Sequence, residues 1–150
     1  MHYWLFKSEP SCFSIDDLSK RPKQTSHWDG VRNYQVRNML RDNIKKGDLA
    51  FFYHSSCTPP GIAGIVEVVK EGYPDFTAWD IRSDHFDPAS TPENPRWYMV
   101  DVKLVEKFPR LITLNEIKRN PALKQMLILR KGNRLSITPI TPAEWETILK

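Results

Sequence analysis

Trp97-Tyr98-Met99-Val100-Asp101-Val102-Lys103-Leu104-Val105-Glu106-Lys107 sets Tyr98, Val100, Val102 and Leu104 on one side of the chain and Trp97, Asp101 and Lys103 on the other. A period of two is the signature of a pleated strand with one face buried. Upstream, Leu49 to His54 reads as a buried strand entered from the turn Lys46-Gly47-Asp48. Ile62 to Lys70, β-branched and preceded by the turn Pro59-Pro60-Gly61, reads as the strand that pairs with it. Tyr3 to Lys7 is a first strand ended by Pro10, and Leu135 to Ile140 is a last one.

Between these strands lie short helices with identifiable starts. Ser14 with Asp17, and Thr113 with Glu116, place an N-cap oxygen three residues before an acid. Thr141-Pro142-Ala143-Glu144 adds a proline at the first helical position, and Pro121 opens a further turn. Residues 33–44 carry Val36, Leu40 and Ile44 at a spacing of four, one apolar helical stripe. Lys20 to Ser26 is polar and reads as a loop. Residues 71–95, rich in Pro, Asp and Ser, read as an irregular, largely exposed insertion. The expected architecture is one α+β domain, 1–150, built on a curved sheet or barrel flanked by short helices.

The composition is that of a chain able to fill one core: 40% hydrophobic and 11% aromatic in 150 residues. Its apolar runs fall far short of the ~20 residues a membrane-spanning helix needs, and Lys7 and Glu9 interrupt the N-terminal stretch where a signal peptide would be apolar. No membrane role and a cytoplasmic location are expected. The two cysteines, Cys12 and Cys57, are expected as free thiols.

The net charge of +4 is unevenly spread, with nine basic against six acidic residues in 1–50, three against seven in 51–100, and ten against five in 101–150. Lys118, Arg119, Lys124, Arg130, Lys131 and Arg134 form a tract without an acid; Arg32, Arg37, Arg41, Lys45 and Lys46 form a second. Brought together, they give the footprint of a phosphate backbone; left apart, they are two solvated faces. Arg37, Lys118, Arg119, Arg130, Lys131 and Arg134 are the expected phosphate contacts.

Catalytic signatures are missing: no nucleophile elbow, phosphate loop, dinucleotide fingerprint or zinc helix occurs. His54 and Cys57 have a spacing that supplies two metal ligands where a structural zinc takes four, and Asp84, His85 and Asp87 read as a solvated cluster. No metal and no cofactor are expected. Trp28, Asn33, Tyr34 and Asn38 gather at the start of the second helix, and Trp97 opens a strand. Rings stack on a nucleobase and amides bond its edge, whereas packing and capping are the ordinary uses of the same residues. An enzyme or small-ligand binder using His54 or Cys57, and a protein-interaction domain using the acidic insertion, are the alternatives to a nucleic-acid-binding module.

Five segments in order carry a family resemblance: Tyr-Trp-Leu-Phe-Lys-Ser-Glu-Pro (3–10), Trp-Asp-Gly-Val-Arg-Asn-Tyr-Gln-Val-Arg-Asn (28–38), Gly-Asp-Leu-Ala-Phe-Phe-Tyr-His-Ser (47–55), Pro-Arg-Trp-Tyr-Met-Val-Asp-Val (95–102) and Arg-Leu-Ser-Ile-Thr-Pro (134–139). The chain resembles the EVE domain, which belongs with the YTH and PUA-like domains. It departs from the pattern at Val36, where alanine is expected, and at Ile137, where valine is expected. The resemblance implies a PUA-like fold and a pocket for a modified base, a methylated or hydroxymethylated cytosine in DNA or a modified base in RNA, in a bacterial protein. Matched position by position, it implies Lys7 and Ser8 beside the pocket and Trp28, Arg32, Asn33 and Asn38 lining it. His54 and Ser55 would close one side, Trp97 would add a ring, and Ser136 would lie on the last strand.

Overall fold

The computed structural model describes residues 1–130 and 135–150. Six strands, β1 (Tyr3–Ser8), β2 (Thr25–Trp28), β3 (Leu49–His54), β4 (Gly61–Pro74), β5 (Tyr98–Thr113) and β6 (Ile137–Ile140), form one sheet in the order β2-β5-β4-β3-β1-β6. Among the described residues, only β1 and β3 pair in parallel. With β2 and β6 at its edges the sheet is open rather than a hydrogen-bonded barrel. Register shifts between β3 and β4 and along β4 and β5 mark the bulges that bend such a sheet. Four short helices attach to it: α1 (Ile15–Ser19), α2 (Tyr34–Asn38), α3 (Leu114–Arg119) and α4 (Pro142–Leu149). Among the described residues, no helix is long and apolar enough to cross a membrane.

Both faces of the sheet are buried, which explains why β1 and β3 read as continuous apolar runs rather than alternating ones. Trp4, Phe6, Trp28, Leu40, Phe52 and Val100 pack on one face. Leu5, Phe51, Tyr53, Ile62 and Ile65 pack on the other, closed by Trp145 of α4 stacked 4.1 Å from Phe51 and 4.5 Å from Tyr3. The caps form as their spacing requires: Ser14, Thr113 and Thr141 each accept from the backbone N–H three residues on, and the acid there accepts back. Asp48, buried in the turn before β3, accepts from His2 N, Trp4 Nε1 and Lys45 N, each at 3.0 Å, and so ties that turn to β1.

The structure departs from the sequence reading in four places. Lys20 to Ser26 is not all loop: after one turn at Pro22–Gln24, β2 pairs with β5 from Thr25↔Lys103 to Trp28↔Val100. The sequence marks this edge strand weakly because only Ser26 and Trp28 of its four residues are buried. The helix over 33–44 is α-helical only to Asn38 and then widens into a π-helical turn, Met39–Asn43, that still buries Leu40 and delivers Ile44 to the core. Residues 71–95, expected as irregular and largely exposed, begin as strand, since β4 runs on to Pro74, and are anchored by the buried Asp75, Ala78 and Ser90. The last strand begins at Ile137 rather than Leu135.

His54 ends β3 half-buried, with its Nε2 accepting from the Ile15 backbone N–H at 3.2 Å. Burial lowers its pKa below 6.5, the coulombic push of Lys107 adds to this, and Asp16 opposes both. The unfolded chain therefore binds the proton first as pH falls, so the stability His54 contributes is complete above about 6.5 and is lost as pH drops through the lower folded value. Chemical denaturation between pH 8 and pH 5 should show falling stability, and His54→Gln should flatten that fall.

Candidate functional site

A cavity of about 470 Å³ opens where the end of β1, the turn after it and the end of β2 meet, with His85 reaching in from the 71–95 segment. Its floor is Trp28, 7% exposed, whose ring centroid lies 5.2 Å from Phe6, 5.4 Å from Phe52 and 6.3 Å from Phe13. Lys7 and Ser8 form one wall. Ser8 donates from Oγ to the Phe13 carbonyl at 2.6 Å, which folds the Glu9–Phe13 turn back over the strand end and brings Phe13 to the cavity. Burial lowers the Lys7 ammonium below the ordinary lysine value.

The opposite wall is polar. Asp29 carries its carboxylate 3.4 Å from His85 Nδ1 and 4.0 Å from His27 Nε2, and all three residues line the cavity. Gly30 adopts φ +79°, and a Cβ built there would meet His85 Nε2 at 2.5 Å, so the imidazole rests directly on the glycine backbone. Gly30→Ala is therefore expected to drive His85 from the wall as well as strain the backbone, seen as a lower melting temperature together with a shifted His85 ring resonance.

A buried bracket behind this wall holds the 71–95 segment in place. Asp75, fully buried, accepts from Gly30 N at 2.9 Å, Arg32 Nη1 at 3.1 Å, Thr77 N at 2.9 Å and Thr77 Oγ1 at 2.5 Å. Its burial works against ionisation, but the hydrogen bonds from Thr77, Gly30 and Arg32 outweigh this and hold the carboxyl below its usual range. Arg32 also donates to the His85 carbonyl and lies 5.4 Å over the Trp97 ring. Trp97 in turn donates from Nε1 to Asp87 at 2.6 Å and stacks on Tyr34 at 4.9 Å. Each acid of the segment that touches this bracket positions His85 or the strand after it.

The family model for the EVE domain matches residues 2–150. The chain belongs to the EVE domain family. Human thymocyte nuclear protein 1 is 46% identical to it over 164 residues, an alignment covering 98% of this chain and 72% of that protein. Among solved structures, a hypothetical protein from Leishmania major superposes with a TM-score of 0.93 at 48% identity, covering 99% of this chain and 92% of that one. Human THYN1, crystallised in complex with DNA containing 5-methylcytosine, superposes with a TM-score of 0.91 at 46% identity, covering 99% of this chain and 96% of that one. The six-stranded α+β architecture is thus the EVE fold.

Of the residues expected at the pocket of this EVE domain, Lys7, Ser8 and Trp28 line the cavity. Ser136 does not line it and meets Lys7 through the backbone, its carbonyl accepting from Lys7 N at 2.8 Å. Arg32 and Trp97 belong to the bracket. Asn33 caps α2, accepting from Val36 N at 3.0 Å, and Asn38 is exposed and accepts from Arg37 Nε at 2.8 Å. His54 is held by Ile15, and Ser55 opens on a second cavity. Cys57 directs its thiol at the Pro59 carbonyl, 3.6 Å away, and Cys12 and Cys57 are free. Arg37 donates to the Arg96 carbonyl and lies over Tyr34. Lys118, Arg119 and Arg130 are exposed, whereas Lys131 and Arg134 lie outside the described residues. No group of three or more His, Cys, Asp or Glu side chains among the described residues is arranged to hold a metal.

Phe13, His27, Asp29 and His85 also line the cavity, outside the set that the family resemblance implies. His27 lies on the edge strand before Trp28 and Asp29 directly follows its end, so both come to the cavity with that strand. Asp84, His85 and Asp87, grouped in the sequence, separate in the fold: Asp84 is exposed, His85 enters the cavity and Asp87 holds Trp97.

Proposed function

We propose that the protein is a DNA-binding reader that takes a methylated cytosine base out of its strand into the cavity between Lys7, Trp28, Asp29 and His85. The observation that carries this reading is the Asp29 carboxylate lining the same cavity as the rings of Trp28 and Phe13. A carboxylate accepts from the exocyclic N4 amine of cytosine, while thymine and uracil would present an acceptor oxygen to it. Trp28 and Phe13 supply the apolar surface against which a ring and its methyl group are buried. The relative crystallised with 5-methylcytosine-containing DNA, alike along nearly its whole length, supports the same ligand class.

The energetics suit a binder. Extruding a base costs a few kcal/mol, and stacking at ~1–3 kcal/mol per base together with a charge-assisted hydrogen bond offsets it. Burying one methyl adds about 0.8 kcal/mol, roughly a fourfold preference. Methylated over plain cytosine is therefore a modest discrimination, and cytosine over thymine a larger one. We read the site as non-catalytic, and as open to methylcytosine in RNA as well as in DNA, because the cavity recognises the base rather than the sugar. Anisotropy at fixed salt with matched strands carrying cytosine or 5-methylcytosine tests this. The methylated DNA should bind about fourfold more tightly and be recovered unchanged; equal binding of the two, or a chemically altered base, would overturn the reading.

A further inference from the structure

Lys7 lines two cavities. The second, of about 250 Å³, lies on the sheet face opposite Trp28, where Lys7 pairs with Tyr53 across β1 and β3, and is bounded further by Ser55, Ser56, Leu114 and Ile128. Tyr53 is 3% exposed and lines this cavity. Burial pushes its phenol up to about 12, so at neutral pH it is a donor. Ser55 and Ser56 bring two further hydroxyls, Ser56 from a left-handed backbone with φ 55° that turns the chain at the rim.

Among the described residues, the one charged side chain that lines the cavity is the cation Lys7. Among the described residues the Lys7 ammonium makes no ion pair although it is half-buried, and no carboxylate lines this second cavity, whereas Glu9 and Asp29 line the first. A half-buried ammonium without a counter-ion is costly unless a ligand supplies one. The exposed cations Lys118 and Arg119 sit on α3, the helix that Leu114 begins, and Arg130 follows Ile128 by two residues. Lys118, Arg119 and Arg130 are thus close in sequence to two residues that line the cavity. Three hydroxyl donors and an unpaired ammonium, with no acid among them, match an oxyanion bearing several acceptor oxygens.

We infer that this second cavity binds a backbone phosphate of the nucleic-acid strand whose base occupies the first, with Lys7 between the two. The inference rests on the base-reading function proposed above. It places the strand across the end of β1, its base on the Trp28 side and its charge on the Tyr53 side.

Strands carrying a single 5-methylcytosine or cytosine, with a neutral methylphosphonate replacing either the 5′ or the 3′ flanking phosphate, test it by anisotropy at fixed salt. One of the two neutral linkages should weaken the wild-type protein roughly tenfold. Tyr53→Phe, which keeps the ring that fills the core, and Ser55→Ala should each weaken the fully charged strand by a comparable factor, equally for both bases, and should be insensitive to that same linkage. Wild-type affinity in both variants, or a loss confined to the methylcytosine preference, overturns the phosphate site. If wild type binds cytosine and methylcytosine alike while the linkage and Tyr53 effects persist, the base reading falls and the phosphate site stands.

Discussion

Asp75→Ala is expected to cost about 3 kcal/mol of folding stability, a large share of the ~5–15 kcal/mol that holds a domain together. The substitution takes the acceptor from Gly30 N and Thr77 and the counter-charge from Arg32, whose Nη1 keeps only the Val31 carbonyl. Removing one member of a buried pair costs ~3–5 kcal/mol, and the lower end applies because the Arg32 side chain retains 25% exposure. Urea denaturation measures it. The double variant Asp75→Ala/Arg32→Met should recover part of the loss, because the unpaired guanidinium is then gone; a double variant no better than the single one would mean that the Gly30 and Thr77 bonds dominate. Since the same carboxylate fixes the backbone under His85, binding should weaken along with stability.

Asp29→Asn should act in the opposite manner, with little effect on folding and a large one on recognition. Asp29 is 28% exposed in its side chain and, among the described residues, pairs with His27 and His85, at ion-pair distances of 4.0 and 3.4 Å. A hydrogen bond to a charged group contributes ~1.5–3 kcal/mol, so cytosine-bearing strands should bind roughly ten- to a hundredfold more weakly to the variant. The amide also brings a donor that suits the O4 of thymine and uracil, so the preference for cytosine over thymine should collapse or invert. Competition among strands differing only in cytosine, 5-methylcytosine, uracil or thymine reads this directly. An unchanged base ranking would remove Asp29 from recognition.

What the chain revealed in advance follows the range over which each signal acts. The β5 alternation, the β3 and β4 runs and the Ser14, Thr113 and Thr141 caps are written within a few residues, and each formed. β2 is a strand only because β5 lies beside it, and nothing in Thr25-Ser26-His27 announces that partner. The pocket divides the same way. Lys7, Ser8 and Trp28 belong to contiguous family segments, while the polar wall joins Asp29 to His85 across a separation that no local pattern spans. Trp97, Arg32 and Asn33 have the chemistry to touch a base, but whether a ring or an amide faces a cavity or a neighbour is set by tertiary packing. Here Asp87, Asp75 and the Val36 N–H engage them. The acidic composition of 71–95 read as solvent-facing because its two structural acids, Asp75 and Asp87, find their partners only once Arg32 and Trp97 are folded against them.

The most direct test of the central claim follows the base itself. With 2-aminopurine placed next to the single 5-methylcytosine of a duplex, extrusion of the methylcytosine into the Trp28 cavity removes the stacking that quenches the probe. Wild-type protein at saturation should therefore raise the probe's fluorescence, and Asp29→Asn should raise it less at equal occupancy. A saturated wild-type complex whose 2-aminopurine stays as dark as in free DNA would contradict base capture by this cavity.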